Sequence, residues 1–202
     1  MGAMTGEPAV PARMRSRNAE RDSAAQIPFG SAVWTPSRKE LWQRVEAHDF
    51  EPDTPLSFTK RLARDRGWSL DEARAAIAGY RRFCFLAAIS DEPMTPSETV
   101  DEVWHQHLIY SRDYWDVWCK EVLRAPLHHD PTPGGREAQI RFRRQYAETM
   151  ALHERFFGPP DPKLWPATYV RFGKRPQYFV ADLHRSLILP RPGALLRRFL
   201  QG

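Results

Sequence analysis

Five of the seven histidines fall between His105 and His153, and most of them stand close to carboxylates. The densest stretch is Val100–Leu108, VDEVWHQHL, with Asp101 four residues before His105. A second group, His128-His129-Asp130, follows about twenty residues later. Imidazole nitrogens and carboxylate oxygens in sets of three or four are the donors that zinc, iron and manganese accept, and this set does not distinguish among the three. The same residue types also occur as hydrogen-bonded structural histidines and as surface ion pairs, so spacing has to decide how they combine.

The spacing points to a helix. At about 100° per residue, His105 and His107 project about 200° apart and cannot both hold one ion. His107 shares a stripe with Val100, Trp104, Tyr114 and Trp118. It reads as a packing residue, or one supporting a ligand from behind, together with Trp104, Tyr114 and His153. His105 lies on another face with Asp101, and an i, i+4 pair can meet. The candidate metal ligands are therefore Asp101 and His105 from the helix, joined by His128 or His129 from the loop. A helix continuous to residue 124 carries its far end about 28 Å from His105. The stretch LHHDPTPGG must then fold back along it to complete a site.

The elements follow from start and stop signals. Thr35-Pro36, Thr54-Pro55 and Thr95-Pro96 each set a capping hydroxyl before a proline, and Ser69 with Glu72 makes a capping box, as Thr95 with Glu98 also can. These signals predict helices over 36–48, 55–66, 70–89, 96–124 and 135–157, the last closed by Gly158 before Pro159-Pro160. Asp161-Pro162 predicts one further short helix through Trp165, and YVRF and QYFVADL read as short strands or extended wrapping segments. The expected fold is all-α, a single-domain bundle of about five helices with an irregular basic C-terminal extension. Residues 1–30 are expected to be disordered, 31–166 to form the helical domain and 167–202 the extension.

Composition narrows the classes. A chain of 202 residues with 42% hydrophobic residues can bury a proper core. Cys84 and Cys119 lie in apolar helical patterns and read as reduced core thiols. No apolar run suggests a transmembrane segment or a secretory leader, so the expected location is cytoplasmic. From Arg171 onward seven basic side chains face Asp182 alone, whereas the preceding 170 residues carry 23 basic and 24 acidic ones. Residues 171–202 are thus either a solvated basic face or a docking element for an acidic protein or nucleic acid, with RFGKRPQYF its basic-aromatic part. No HExxH, GxSxG or glycine-rich phosphate loop is present.

An ordered series of motifs adds a resemblance. Tyr80-Arg81-Arg82-Phe83 leads to Met94-Thr95-Pro96-Ser97, then to Asp101-Glu102-Val103-Trp104-His105-Gln106-His107, with Tyr114, Cys119 and Leu127-His128-His129 after it. Tyr146, Thr149, Phe156-Phe157-Gly158-Pro159-Pro160 and Trp165-Pro166 complete the series. Over about residues 36–166 the chain resembles bacterial relatives of the glycine-rich domain-containing protein family, marked by D-x-x-W-H-x-H. It departs from them at His153, where an aromatic residue is expected, and in having no glycine-rich region. The resemblance implies that Asp101, Trp104, His105, His107 and His128 act as a unit; it supplies no activity. The leading expectation is a divalent-metal or buried polar site. The alternatives are a non-catalytic interaction module with structural histidines and a metal-dependent hydrolase with Asp101 as base.

Overall fold

A computed structural model describes residues 30–51 and 54–173. Among the described residues seven helices follow one another: α1 Pro36–Ala47, α2 Phe58–Arg66, α3 Leu70–Ile89, α4 Glu98–Ile109, α5 Asp113–Leu123, α6 Gly135–Phe157 and α7 Thr168–Arg171. No strand occurs among the described residues, and no helix among them is long and apolar enough to cross a membrane. The expected N-terminal disorder, the QYFVADL segment and the basic residues from 174 onward lie outside the described residues.

Two of the expected helix starts hold. Thr35 caps α1 by accepting from the Arg38 N–H, and Ser69 with Glu72 forms the complete capping box of α3. Two others move. Ser57 caps α2 in place of Thr54, and Ser97 caps α4 in place of Thr95. Thr95 instead turns inward, donating its hydroxyl to Gln145 Oε1 at 3.0 Å and its N–H to Thr149 Oγ1 at 3.3 Å, which ties the start of α4 to α6. A side chain can serve only one of these roles well, and the buried bonds win because leaving them unmade costs more.

The largest departure lies in the expected long helix over 96–124. It breaks at Tyr110, whose φ of −83° and ψ of 55° leave the helical region, and resumes as an eleven-residue π-helix, α5. Tertiary contacts hold the break. The Tyr110 hydroxyl accepts from Arg61 Nε at 2.9 Å, and its ring packs on Phe58 with centroids 5.2 Å apart. After Phe157 the chain makes a hydrogen-bonded turn over Asp161–Trp165 where a short helix was expected. Tyr169–Arg171 of YVRF belong to α7, not to a strand.

α3 is the central element and packs against α1, α2, α4, α5 and α6. Its Phe85 stacks on Trp34 at 5.2 Å within a cluster that includes Trp42, Phe156 and Phe157. Toward its middle, fully buried Tyr80 and Cys84 face Trp118 and His107 instead. Both cysteines are free thiols in the interior. Gly79 lets α3 approach closely, since a Cβ there would stand 2.6 Å from Leu164 Cδ2 and 3.1 Å from Val100 Cγ2.

Candidate metal centre

Asp101 and His105 stand one turn apart on α4, and the loop after α5 brings His129 to them. Each offers one ligand atom, and the three atoms lie within 4.8 Å of one another. His129 Nε2 is 2.9 Å from Asp101 Oδ1, and the His129 ring stacks on His105 with centroids 4.6 Å apart and planes 24° from parallel. On its other side His129 meets Trp104 at 4.3 Å. His105 is exposed while Asp101 and His129 are partly buried, so the cluster opens to solvent.

The break at Tyr110 supplies the return route that a continuous helix would not. Tyr114, fully buried in the first turn of α5, accepts from Trp104 Nε1 at 2.9 Å and donates its hydroxyl to the Leu127 carbonyl. One phenol therefore pins the loop to α4 two residues before His129. His128 does not join the cluster; its ring lies 5.5 Å from that of Trp115. Neighbouring side chains in a non-helical stretch diverge, so only one of the two loop histidines can face α4.

Electrostatics bias His129 toward the protonated form. Its hydrogen bond to Asp101 raises its pKa above the ordinary histidine value, partial burial opposes this, and the Asp101 charge adds to the rise. An Asp–His contact of 2.9 Å is a hydrogen bond in its own right. Ligand atoms around a tetrahedral ion at about 2.0–2.1 Å stand roughly 3.3 Å apart. The set thus fits an ion if His129 and Asp101 part by a few tenths of an ångström, and the solvent-facing side leaves room for that.

His107 points the other way, as the 200° separation requires. It is fully buried, with Nδ1 3.0 Å from the Tyr80 hydroxyl and Nε2 2.7 Å from Asp113 Oδ2. The same Asp113 oxygen is 3.2 Å from His48 Nε2. Burial pushes the His107 pKa down against the opposing pull of Asp113. Burial alone would raise the Asp113 pKa, but its bonds to His107 and His48 prevail and hold it well below the usual carboxylate range. Sequence reasoning missed His48 and Asp113. His48 is 65 residues from Asp113, and Asp113 lies across the break from His107, where no helical spacing rule applies.

His153 is also fully buried, against Phe157 and Trp165, and its Nδ1 is 3.1 Å from the Gly158 carbonyl. Its Nε2 has no hydrogen-bond partner among the described residues, and burial lowers its pKa to about 4, with the nearby Arg82 charge adding to the effect. It is a packing residue distant in role from either cluster. Arg171, the first basic residue of the C-terminal run, is paired with Glu98 at 2.7 Å.

With this geometry established, comparison with known proteins adds one match. The model of the UCP032817-like family covers residues 43–153, just over half of the chain. The chain belongs to the UCP032817-like family. The matched span runs from within α1 to His153, so it contains His48, α4, α5 and the loop that carries His129. Neither a curated protein nor a solved structure matches the chain.

Proposed function

We propose that this protein binds a divalent transition metal through Asp101, His105 and His129, leaving the remaining coordination positions open to solvent. The observation that carries the reading is the convergence of Asp101, His105 and His129, three donors from two segments, within 4.8 Å. Two imidazoles and one carboxylate suit zinc or iron, and three protein ligands with an open face is the pattern of sites that bind water or an exogenous ligand at the metal. Trp104 and Tyr114 hold the loop ligand from behind, which is how supporting residues orient a first set of ligands. All three donors lie inside the span that matches the UCP032817-like family model. In this reading Asp101 is a ligand, so it does not serve as the base of a hydrolase.

The test is metal content of the full chain purified without a metal-affinity tag, measured beside His105→Ala, His129→Ala and His128→Ala. The reading expects bound metal in the parent and in His128→Ala, and a loss of one equivalent in the other two. Equal metal content in all four proteins, or none in a folded parent given zinc, iron and manganese in turn, refutes it.

A further inference from the structure

The interior holds a second convergence of ligand atoms, separate from the solvent-facing cluster. His48 follows α1, His107 belongs to α4 and Asp113 opens α5, yet their ligand atoms lie within 4.8 Å of one another. Both imidazoles direct Nε2 at the same carboxylate oxygen, at 2.7 Å from His107 and 3.2 Å from His48. Aromatic walls enclose the two rings: Phe50 stands edge-on to His107 at 4.9 Å, and Trp118 is 5.0 Å from His48. Asp113 is one-third exposed, and its open side borders a cavity of about 110 Å³ shared with Asp49, Phe50, Glu51, Phe58 and Tyr110.

We infer that His48, His107 and Asp113 form a second, buried site for a divalent transition metal, whose free positions face this cavity. The donor set is two nitrogens and one oxygen, which favours zinc, iron or cobalt over magnesium or calcium. The charge balance agrees. Asp113, Asp49 and Glu51 place three carboxylates around the cavity against the guanidinium of Arg81, which bonds the carbonyls of Val45 and His48 and whose charge reaches His107. Glu51 is anchored by the Thr59 N–H and hydroxyl, and Asp49 accepts from the Glu51 N–H.

The neighbours also support the required tautomer. An ion on Nε2 of His107 places the ring proton on Nδ1, and the Tyr80 hydroxyl stands 3.0 Å away to accept it. The His48 contact of 3.2 Å is close to the roughly 3.3 Å between ligands of a tetrahedral ion, and the His107 contact of 2.7 Å must lengthen by about half an ångström, for which the cavity beside Asp113 gives the carboxylate room.

The experiment is long-range proton–nitrogen NMR of the full ¹⁵N-labelled chain, without an affinity tag, before and after two molar equivalents of zinc. The ring nitrogens of His48 and His107 are expected to move from protonated Nε2 to metal-bound Nε2 with protonated Nδ1. If His48 and His107 keep their proton on Nε2, the inference is overturned. His105 and His129 report the solvent-facing site in the same spectrum. A change confined to them overturns the buried site alone, and a change confined to His48 and His107 supports it while refuting the other. As a second measurement, Asp113→Asn and His48→Gln, checked for folding by circular dichroism, should each bind one zinc equivalent fewer than the parent. An unchanged equivalence in either folded variant counts against the site.

Discussion

His129 can hold a proton or a metal ion on Nε2, and Asp101 at 2.9 Å strengthens its hold on the proton. A ligating imidazole must give up that proton, so metal affinity at this cluster should depend on pH. The folded His129 pKa is raised, so the bond to Asp101⁻ stabilises the metal-free protein fully below the ordinary value near 6.5 and is lost as pH rises through the raised value. Zinc affinity should accordingly climb about tenfold per pH unit between pH 6.5 and the raised pKa, then level off. Calorimetric titrations at several pH values test this; a flat profile over that interval is the contrary result. At the residue scale much was legible. The 100° step separates His105 from His107, and the i, i+4 rule joins Asp101 to His105. Which loop histidine completes the set was not legible, because it depends on how residues 126–130 leave α5, and both His128 and His129 have the right chemistry.

Tyr114 connects elements that the sequence lists far apart. Its hydroxyl joins Trp104 on α4 to Leu127 in the loop, and so sets where His129 arrives. Tyr114→Phe keeps the ring but leaves a buried indole N–H and a buried carbonyl without this partner. The loss should be about 1–3 kcal/mol in urea-unfolding stability. It should also weaken zinc binding several-fold, a change that loss of packing elsewhere would not produce in a folded variant. Zinc binding equal to that of the parent would show that the loop is held by other contacts. The helices themselves were readable from caps and periodicity, which explains why α1, α3 and α6 fall close to their expected bounds. The break at Tyr110 was not, because the 3.6-residue stripe continues through it in sequence. What ends α4 is a pair of contacts to α2, from Arg61 and Phe58, and no local rule reveals them. Thr95 departs from its expected capping role for a related reason. It is a sound capping residue locally, but Gln145 and Thr149 on α6 claim it.

Taken over the whole molecule, two buried histidines and the partly exposed Asp113 act on stability in the same direction. His153 and His107 have lowered pKa values, so below pH 6.5 the unfolded chain takes up protons that the folded chain refuses. Asp113 has a lowered pKa as well, so its contribution is present above about 3.8 and is lost as pH falls through its folded value. The two histidines should therefore make stability fall as pH drops from 6.5 toward 4, and Asp113 adds to the loss below about 3.8. His153, lowered to about 4, accounts for up to roughly 3 kcal/mol of that slope at 1.36 kcal/mol per pKa unit. His153→Phe, which keeps an aromatic ring against Phe157 and Trp165, should flatten urea midpoints over this interval whatever it does at neutral pH. An unchanged slope would assign the acid sensitivity to other groups. The sequence indicated the buried stripe on α6 but not which nitrogen of His153 would lack a partner, since that depends on the turn at Gly158.

The fold is thus a helical frame that brings α4 and the loop after α5 together at one solvent-facing cluster. The most direct test of the metal claim is anomalous diffraction from crystals of the full chain grown with zinc, collected on both sides of the zinc absorption edge. The account predicts a zinc peak within bonding distance of Asp101, His105 and His129, with the direct His129–Asp101 hydrogen bond replaced by two metal bonds. Zinc-saturated crystals in which that 2.9 Å bond persists and no peak lies between the three residues would contradict it.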